Sequence, residues 1–186
     1  MNKSEYNQQV NQQPSLAELQ QRAYEKLVFN LEEMTKHYRQ LLECVRKEKE
    51  LLIKSDIPTL NDNNIHKEQC LVKIKSLDGL RINYAVEFAQ LIGADYREPR
   101  LLDMAKRVSN VQADKLRALH ATLEIVTKRV AEINCENESL AQSALKTVNS
   151  AMNNIKESLG GKKVYQKKGT VQGSNNRSGN FISKEG

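Results

Sequence analysis

The longest stretch of this sequence without glycine or proline runs over residues 100–159, and it constrains the fold more than any other feature. Its apolar residues recur every three or four positions, which places them on one face of an α-helix. The last of them are Leu140, Ala144, Val148, Met152, Ile155 and Leu159. Gly160 and Gly161 follow, and glycine favours a helix end because it readily adopts the left-handed conformation of a C-cap. The pattern predicts a third helix over about residues 99–159, with the Ser109–Asn110 pair as the one place that would accommodate a break.

Two more helices are predicted before this stretch. The capping-box spacing of Ser15 and Glu18 begins the first, because each side chain can pair with an amide of the first turn, and it extends over about residues 15–54. The second covers about residues 57–92, since Pro58 is tolerated only in a first helical turn. Short connections favour antiparallel neighbours. The sequence therefore predicts an all-α fold, an elongated antiparallel coiled-coil-like bundle of three long helices.

The two ends of the sequence differ from this helical domain, which we place at residues 15–160. Residues 1–14 are rich in Asn and Gln and predict a disordered arm, and residues 161–186 predict a flexible basic tail. The formal net charge is +6. Beyond Leu159 there are six basic residues and one acidic residue, so the tail carries +5 and the remainder is nearly neutral. A solvated tail explains the charge, and we expect no nucleic-acid partner.

Several classes of function find no support in the residue pattern. The three cysteines form no CxxC pair, which argues against a disulfide framework or a zinc ribbon and favours reduced thiols. His66 and Cys70 could reach one metal ion, but no further ligand lies near them. No nucleophile motif or phosphate-binding loop is present. No signal peptide or long apolar run is present either. We expect a cytoplasmic protein without enzymatic activity, cofactor, metal or stable membrane insertion.

Helix lengths single out the end of the third helix. The first and second predicted helices are roughly 60 and 54 Å long, so they cannot pack along the whole of the third, which is roughly 90 Å long. The uncovered part is then the stretch from Asn134 to Leu159, and an apolar face of this size usually marks a binding surface. The face could instead belong to the protein's own core. Asn134 and Asn137 either contact a partner or set the register of a helical seam.

The same stretch resembles the C-terminal signature of the FlgN family, which are flagellar export chaperones of hook-filament junction proteins. The resemblance rests on Asn-x-x-Asn-x-x-Leu over residues 134–140, then Leu145, Val148, Met152, Ile155 and Leu159, then Tyr165 with Gly169 four residues later. An earlier run from Tyr38 to Arg81 is similar to the family's first two helices. The similarity covers roughly residues 16–169.

The resemblance implies an all-helical, non-enzymatic chaperone that keeps FlgK-like and FlgL-like junction proteins unpolymerised and delivers them to the type III export gate. It implies gate docking by Tyr165, although Lys167 and Lys168 stand where the family often has neutral or acidic residues. It implies a set of client-binding residues, namely Asn134, Asn137, Leu140, Leu145, Val148, Met152, Ile155 and Leu159. The alternative from another class is a self-associating coiled-coil scaffold that dimerises through the same apolar face.

Overall fold

The computed structural model of the protein describes residues 14–159, and this part of the chain is all-α. It contains three long helices and one short one: α1 (Leu16–Lys54), α2 (Ile57–Leu91), α3 (Leu101–Met104) and α4 (Asn110–Leu159). The predicted fold class is confirmed. The predicted arm, apart from Pro14, and the predicted tail lie outside the described residues.

The start of α1 is fixed by the interaction that the Ser-x-x-Glu spacing predicts. The Ser15 hydroxyl accepts a hydrogen bond from the Glu18 amide at 3.3 Å, and the Glu18 carboxylate accepts one from the Ser15 amide at 2.8 Å. Both bonds satisfy amides that have no partner inside the helix. α1 then continues without interruption to Lys54.

The turn between α1 and α2 is only two residues long. Ser55 adopts a left-handed conformation with φ 56°, and the Asp56 amide donates to the Leu51 carbonyl at 3.1 Å. This is the pattern of a Schellman C-cap. Asp56 also accepts a hydrogen bond from the Thr59 amide at 3.3 Å and so caps α2. Such a short turn returns the chain directly alongside α1.

The region predicted as one third helix is divided in the structure. α3 is a single turn, and residues 105–109 separate it from α4. Ser109 starts the new helix, because its carbonyl accepts from the Ala113 amide at 2.8 Å and its hydroxyl accepts from the Gln112 amide at 3.5 Å. Met104 and Ala105 are 0% and 2% exposed, so the break allows this segment to pack into the core.

Contacts between helices give their relative directions. Gln20 near the start of α1 donates to the Leu91 carbonyl at the end of α2, at 2.7 Å, while Glu48 pairs with Lys67 at 2.7 Å. A residue early in α1 thus contacts the end of α2, and a residue late in α1 contacts an earlier part of α2. These two helices are therefore antiparallel. Gln112 donates to Gln21 at 3.0 Å, and Glu136 pairs with Lys49 of α1 at 2.6 Å. The part of α4 before residue 144 is therefore parallel to α1.

The chain divides into two units, the first ending at Ser143 and the second beginning at Ala144. Two clusters of buried side chains form the core of the first unit. One contains Ala23, Tyr24, Leu27, Leu31, Ala85, Phe88, Ala89, Met104, Ala105, Ala113, Leu116 and Leu119. The other contains Leu41, Leu42, Val45, Ile74 and Ile133. α1 supplies side chains to both clusters, and α2 and α4 pack against it.

Candidate functional site

The described part of the second unit, residues 144–159, exposes every one of its side chains. Five of these are large and apolar, with exposed fractions between 51% and 81%. They are Leu145, Val148, Met152, Ile155 and Leu159, and we call them the apolar stripe. Their spacing alternates between three and four residues, so they share one face of α4. A row of large apolar side chains in contact with water is typical of a binding surface.

Apart from Ala144 and Ala151, the rest of this helical segment is polar, and it carries little charge. Its ionisable residues are Lys146, Lys156 and Glu157, which sum to +1. The Ser150 hydroxyl donates to the Lys146 carbonyl at 2.9 Å, and the Ser158 hydroxyl donates to the Ile155 carbonyl at 2.8 Å. With few charges available, a ligand of this surface would be held mainly by apolar contact rather than by ion pairs.

Asn137 lies inside the first unit and is 3% exposed. Its side-chain amide donates to the Val45 carbonyl at 2.8 Å and to the Glu48 carboxylate at 3.0 Å. A buried amide with partners on a neighbouring helix fixes the register of that pair of helices. This placement favours the register interpretation of Asn137 over a contact with a client.

Asn134 belongs to the same group of polar side chains, although it is exposed. The Lys67 ammonium donates to the Asn134 side-chain oxygen at 2.9 Å and to the Glu48 carboxylate at 2.7 Å. The Glu48 and Lys67 side chains are only 14% and 20% exposed, so water screens their interaction less than that of a surface pair. We call Glu48, Lys67, Asn134 and Asn137 the polar network, and it joins α1, α2 and α4.

Sequence reasoning missed Glu48 and Lys67 as members of this network. The signal for Glu48 was present, because it is a charged residue at a position of the α1 heptad seam that apolar residues otherwise occupy. A charge in a seam requires a partner when it is buried. The sequence contains several candidate partners on α2 and α4, so the pairing itself required the structure.

The remaining predicted site residues fall in different places. Leu140 is half-buried in the first unit, and Tyr165 lies outside the described residues. Within residues 14–159, no group of three or more His, Cys, Asp or Glu side chains could hold a metal ion. In the same range, no helix combines the length and the apolarity needed to cross a bilayer.

Comparison with known families identifies the chain. A family model described as FlgN protein matches residues 19–173, which is most of the sequence. The chain belongs to the FlgN family. No curated protein and no solved structure matches it. FlgN proteins are flagellar export chaperones that bind export substrates, and this FlgN chain has that general role. The resemblance seen in the sequence is thereby confirmed, and the matched region includes the whole apolar stripe.

Proposed function

We propose that this FlgN protein acts in the cytoplasm and binds the terminal helical segments of hook-filament junction proteins through its apolar stripe. Its clients would be FlgK-like and FlgL-like proteins, which it keeps from assembling early and delivers to the export gate. The chaperone needs no catalytic chemistry for this task. The observation that supports the proposal is the exposure of all five stripe side chains in a segment where every residue is exposed.

A helix with one apolar face suits a client that is itself an unpaired amphipathic helix. Proteins that assemble through terminal helices leave those segments without partners before assembly. Such a segment can lay its own apolar face against the stripe, as helices do in a coiled coil. The alternating spacing of the stripe from Leu145 to Leu159 provides the contact positions. Occupying the client's assembly surface in this way prevents premature assembly.

The size of the apolar stripe is consistent with a client complex that is stable but reversible. Burial of its five partly exposed side chains would contribute on the order of 5 kcal/mol before ordering costs are subtracted. The client side of the interface adds a similar amount. Ordering of a previously unpaired client helix reduces the net affinity. A complex of this kind can release its client without nucleotide hydrolysis by the chaperone.

The proposed client surface excludes both asparagines that the resemblance implied as client-binding residues. Asn134 and Asn137 have hydrogen-bond partners within the first unit. We therefore assign them to the polar network and assign client contact to the apolar stripe. Leu140, in the first unit, stays a predicted client contact. Tyr165 remains the proposed docking residue for the export gate, on the basis of the family resemblance.

A double substitution tests the proposed surface. Val148→Asp with Ile155→Asp places two charges in the middle of the stripe. A client helix would have to bury both, which costs several kcal/mol. We expect capture of a purified junction protein to be abolished. Circular dichroism should show the helicity of α1 and α2 unchanged, because both side chains are more than half exposed.

The matched control is Ser150→Asp with Asn154→Asp. It introduces the same charge on the opposite face of the same helical segment, and client capture should remain close to that of the wild type. Equal capture by both double variants would contradict the proposal. Loss of the whole fold in the stripe variant would also contradict it, since the stripe would then be core.

A further inference from the structure

The second helix has two apolar faces, and only one of them is covered in the described part of the chain. Its inner face buries residues such as Ile74, Ala85 and Phe88 against the first unit's core. On its outer face Ile65, Val72 and Ile82 are 55%, 65% and 48% exposed. A surface helix of a globular protein normally has polar residues on its outer side. This outer face therefore has the composition of an interface.

The outer face follows a heptad repeat over 22 residues. The positions that share it are Ile65, Glu68, Val72, Lys75, Gly79, Ile82 and Val86, separated alternately by three and four residues. This repeat is about 33 Å long. Sustained three-four spacing is typical of a helix that pairs with another helix. Val86, the last position of the repeat, is half-buried.

Two charges and one glycine within the repeat indicate what the partner is. Glu68 and Lys75 have opposite charge and lie seven residues apart on the same face. Between Lys75 and Ile82, Gly79 leaves open space, since a Cβ added there would meet no atom within 4 Å. A partner that is a second copy of α2 would present the same three features. In a parallel pair each charge would face its own equivalent, which is repulsive.

An antiparallel pair separates the two Glu68 side chains and places each of them near Lys75 of the second copy, so two attractions oppose the single remaining repulsion, which is between the two Lys75 side chains beside the axis. We infer that the outer face of α2 is a homodimer interface, in which two copies of this chain pair antiparallel around a two-fold axis between Val72 and Lys75. Ile65 of one copy then lies opposite Ile82 of the other. Glu68 lies opposite the space left by Gly79, within one helical turn of Lys75 of the second copy. The symmetry produces two such ion pairs, and this charge complementarity selects a second copy over an unrelated helix.

The interface uses no residue of the apolar stripe, so the inference stands apart from the proposed client surface. Its length and its two charged positions place it among small interfaces, which form dimers that dissociate on dilution. Sedimentation of the full chain over a range of concentrations should then show a mass rising toward twice the 21.2 kDa of one chain.

Charge reversal provides a sharp test of the pairing. Glu68→Lys alone should weaken association by roughly tenfold or more, because each attractive pair becomes a repulsive one. Lys75→Glu alone should have the same effect. The double variant Glu68→Lys with Lys75→Glu restores opposite charges, so it should dimerise like the wild type. Lys73→Glu is the control, since residue 73 is an exposed lysine of α2 outside the repeat.

Four results would overturn the inference. The wild type could stay monomeric at the highest concentration reached. Both single reversals could dimerise as the wild type does. The double variant could fail to recover dimerisation while its circular dichroism remains native. The dimer could instead disappear in Val148→Asp with Ile155→Asp, which would place self-association on the apolar stripe and support a scaffold of that kind.

Discussion

At the scale of single residues, the polar network shows how similar side chains take different roles. Asn134 and Asn137 lie three residues apart on α4, and both are amides. Asn137 is buried with two hydrogen bonds, whereas Asn134 is exposed with one. Loss of a buried hydrogen bond leaves its partner unsatisfied, which costs more than loss of a solvated one. The difference in burial therefore predicts a difference in stability.

We expect Asn137→Ala to lower the free energy of unfolding by about 1–2 kcal/mol, because the Val45 carbonyl and the Glu48 carboxylate lose a donor. Asn134→Ala is the matched control and should change the free energy of unfolding by about 0.5 kcal/mol or less. Urea denaturation of both variants measures the difference. Both should capture the junction protein as the wild type does. A loss of capture in the well-folded Asn134 variant would restore Asn134 to the client surface.

At the scale of helices, the ends of α1 and α2 use the same C-cap with different residues. Ser55 occupies the left-handed position after α1, with φ 56°. Gly93 occupies the equivalent position after α2, with φ 67°, and the Ala94 amide donates to the Ala89 carbonyl at 2.8 Å. A residue with a Cβ is strained in this conformation, whereas glycine is not. The C-cap of α1 therefore carries a backbone strain that the C-cap of α2 does not.

Reciprocal substitutions test this comparison. Ser55→Gly should raise the free energy of unfolding by about 0.5–1 kcal/mol, because relief of strain outweighs the greater freedom of glycine in the unfolded chain. Gly93→Ala should lower it by about 1 kcal/mol. Thermal or urea unfolding of the two variants provides the measurement. A destabilised Ser55→Gly variant would show that the serine side chain contributes more than its backbone conformation costs.

The helices also show what the sequence could predict. The start of α1 and the turn before α2 follow from local capping residues, which act within a few positions and are visible in the sequence. The sequence marks Ser109–Asn110 as a place where a break is accommodated, and α4 begins at Asn110. That the helix does break, over residues 105–109, depends on burial of Met104 and Ala105 in a core built from distant segments. The role of Asn137 likewise depends on which helix lies beside it. The periodicity of apolar residues predicts which face of a helix is buried. It does not predict which other helix packs against that face.

At the scale of the whole molecule, the two units differ in how they treat apolar residues. The first unit buries two clusters of them, while the described part of the second unit buries none. A helical segment without buried contacts opens easily, because its stability depends only on local hydrogen bonds. Client binding would supply the contacts that it lacks. Protection of the amides of residues 144–159 from hydrogen exchange should therefore report directly on client binding.

Hydrogen exchange of the full chain, alone and with a purified junction protein, tests that claim most directly. In the free protein, amides of residues 144–159 should exchange rapidly, and those around Leu116 should exchange slowly. The junction protein should slow exchange in residues 144–159 by roughly tenfold or more and leave the Leu116 region unchanged. Unchanged exchange in residues 144–159 of a saturated complex, with new protection elsewhere in the chain, would contradict client binding at the apolar stripe.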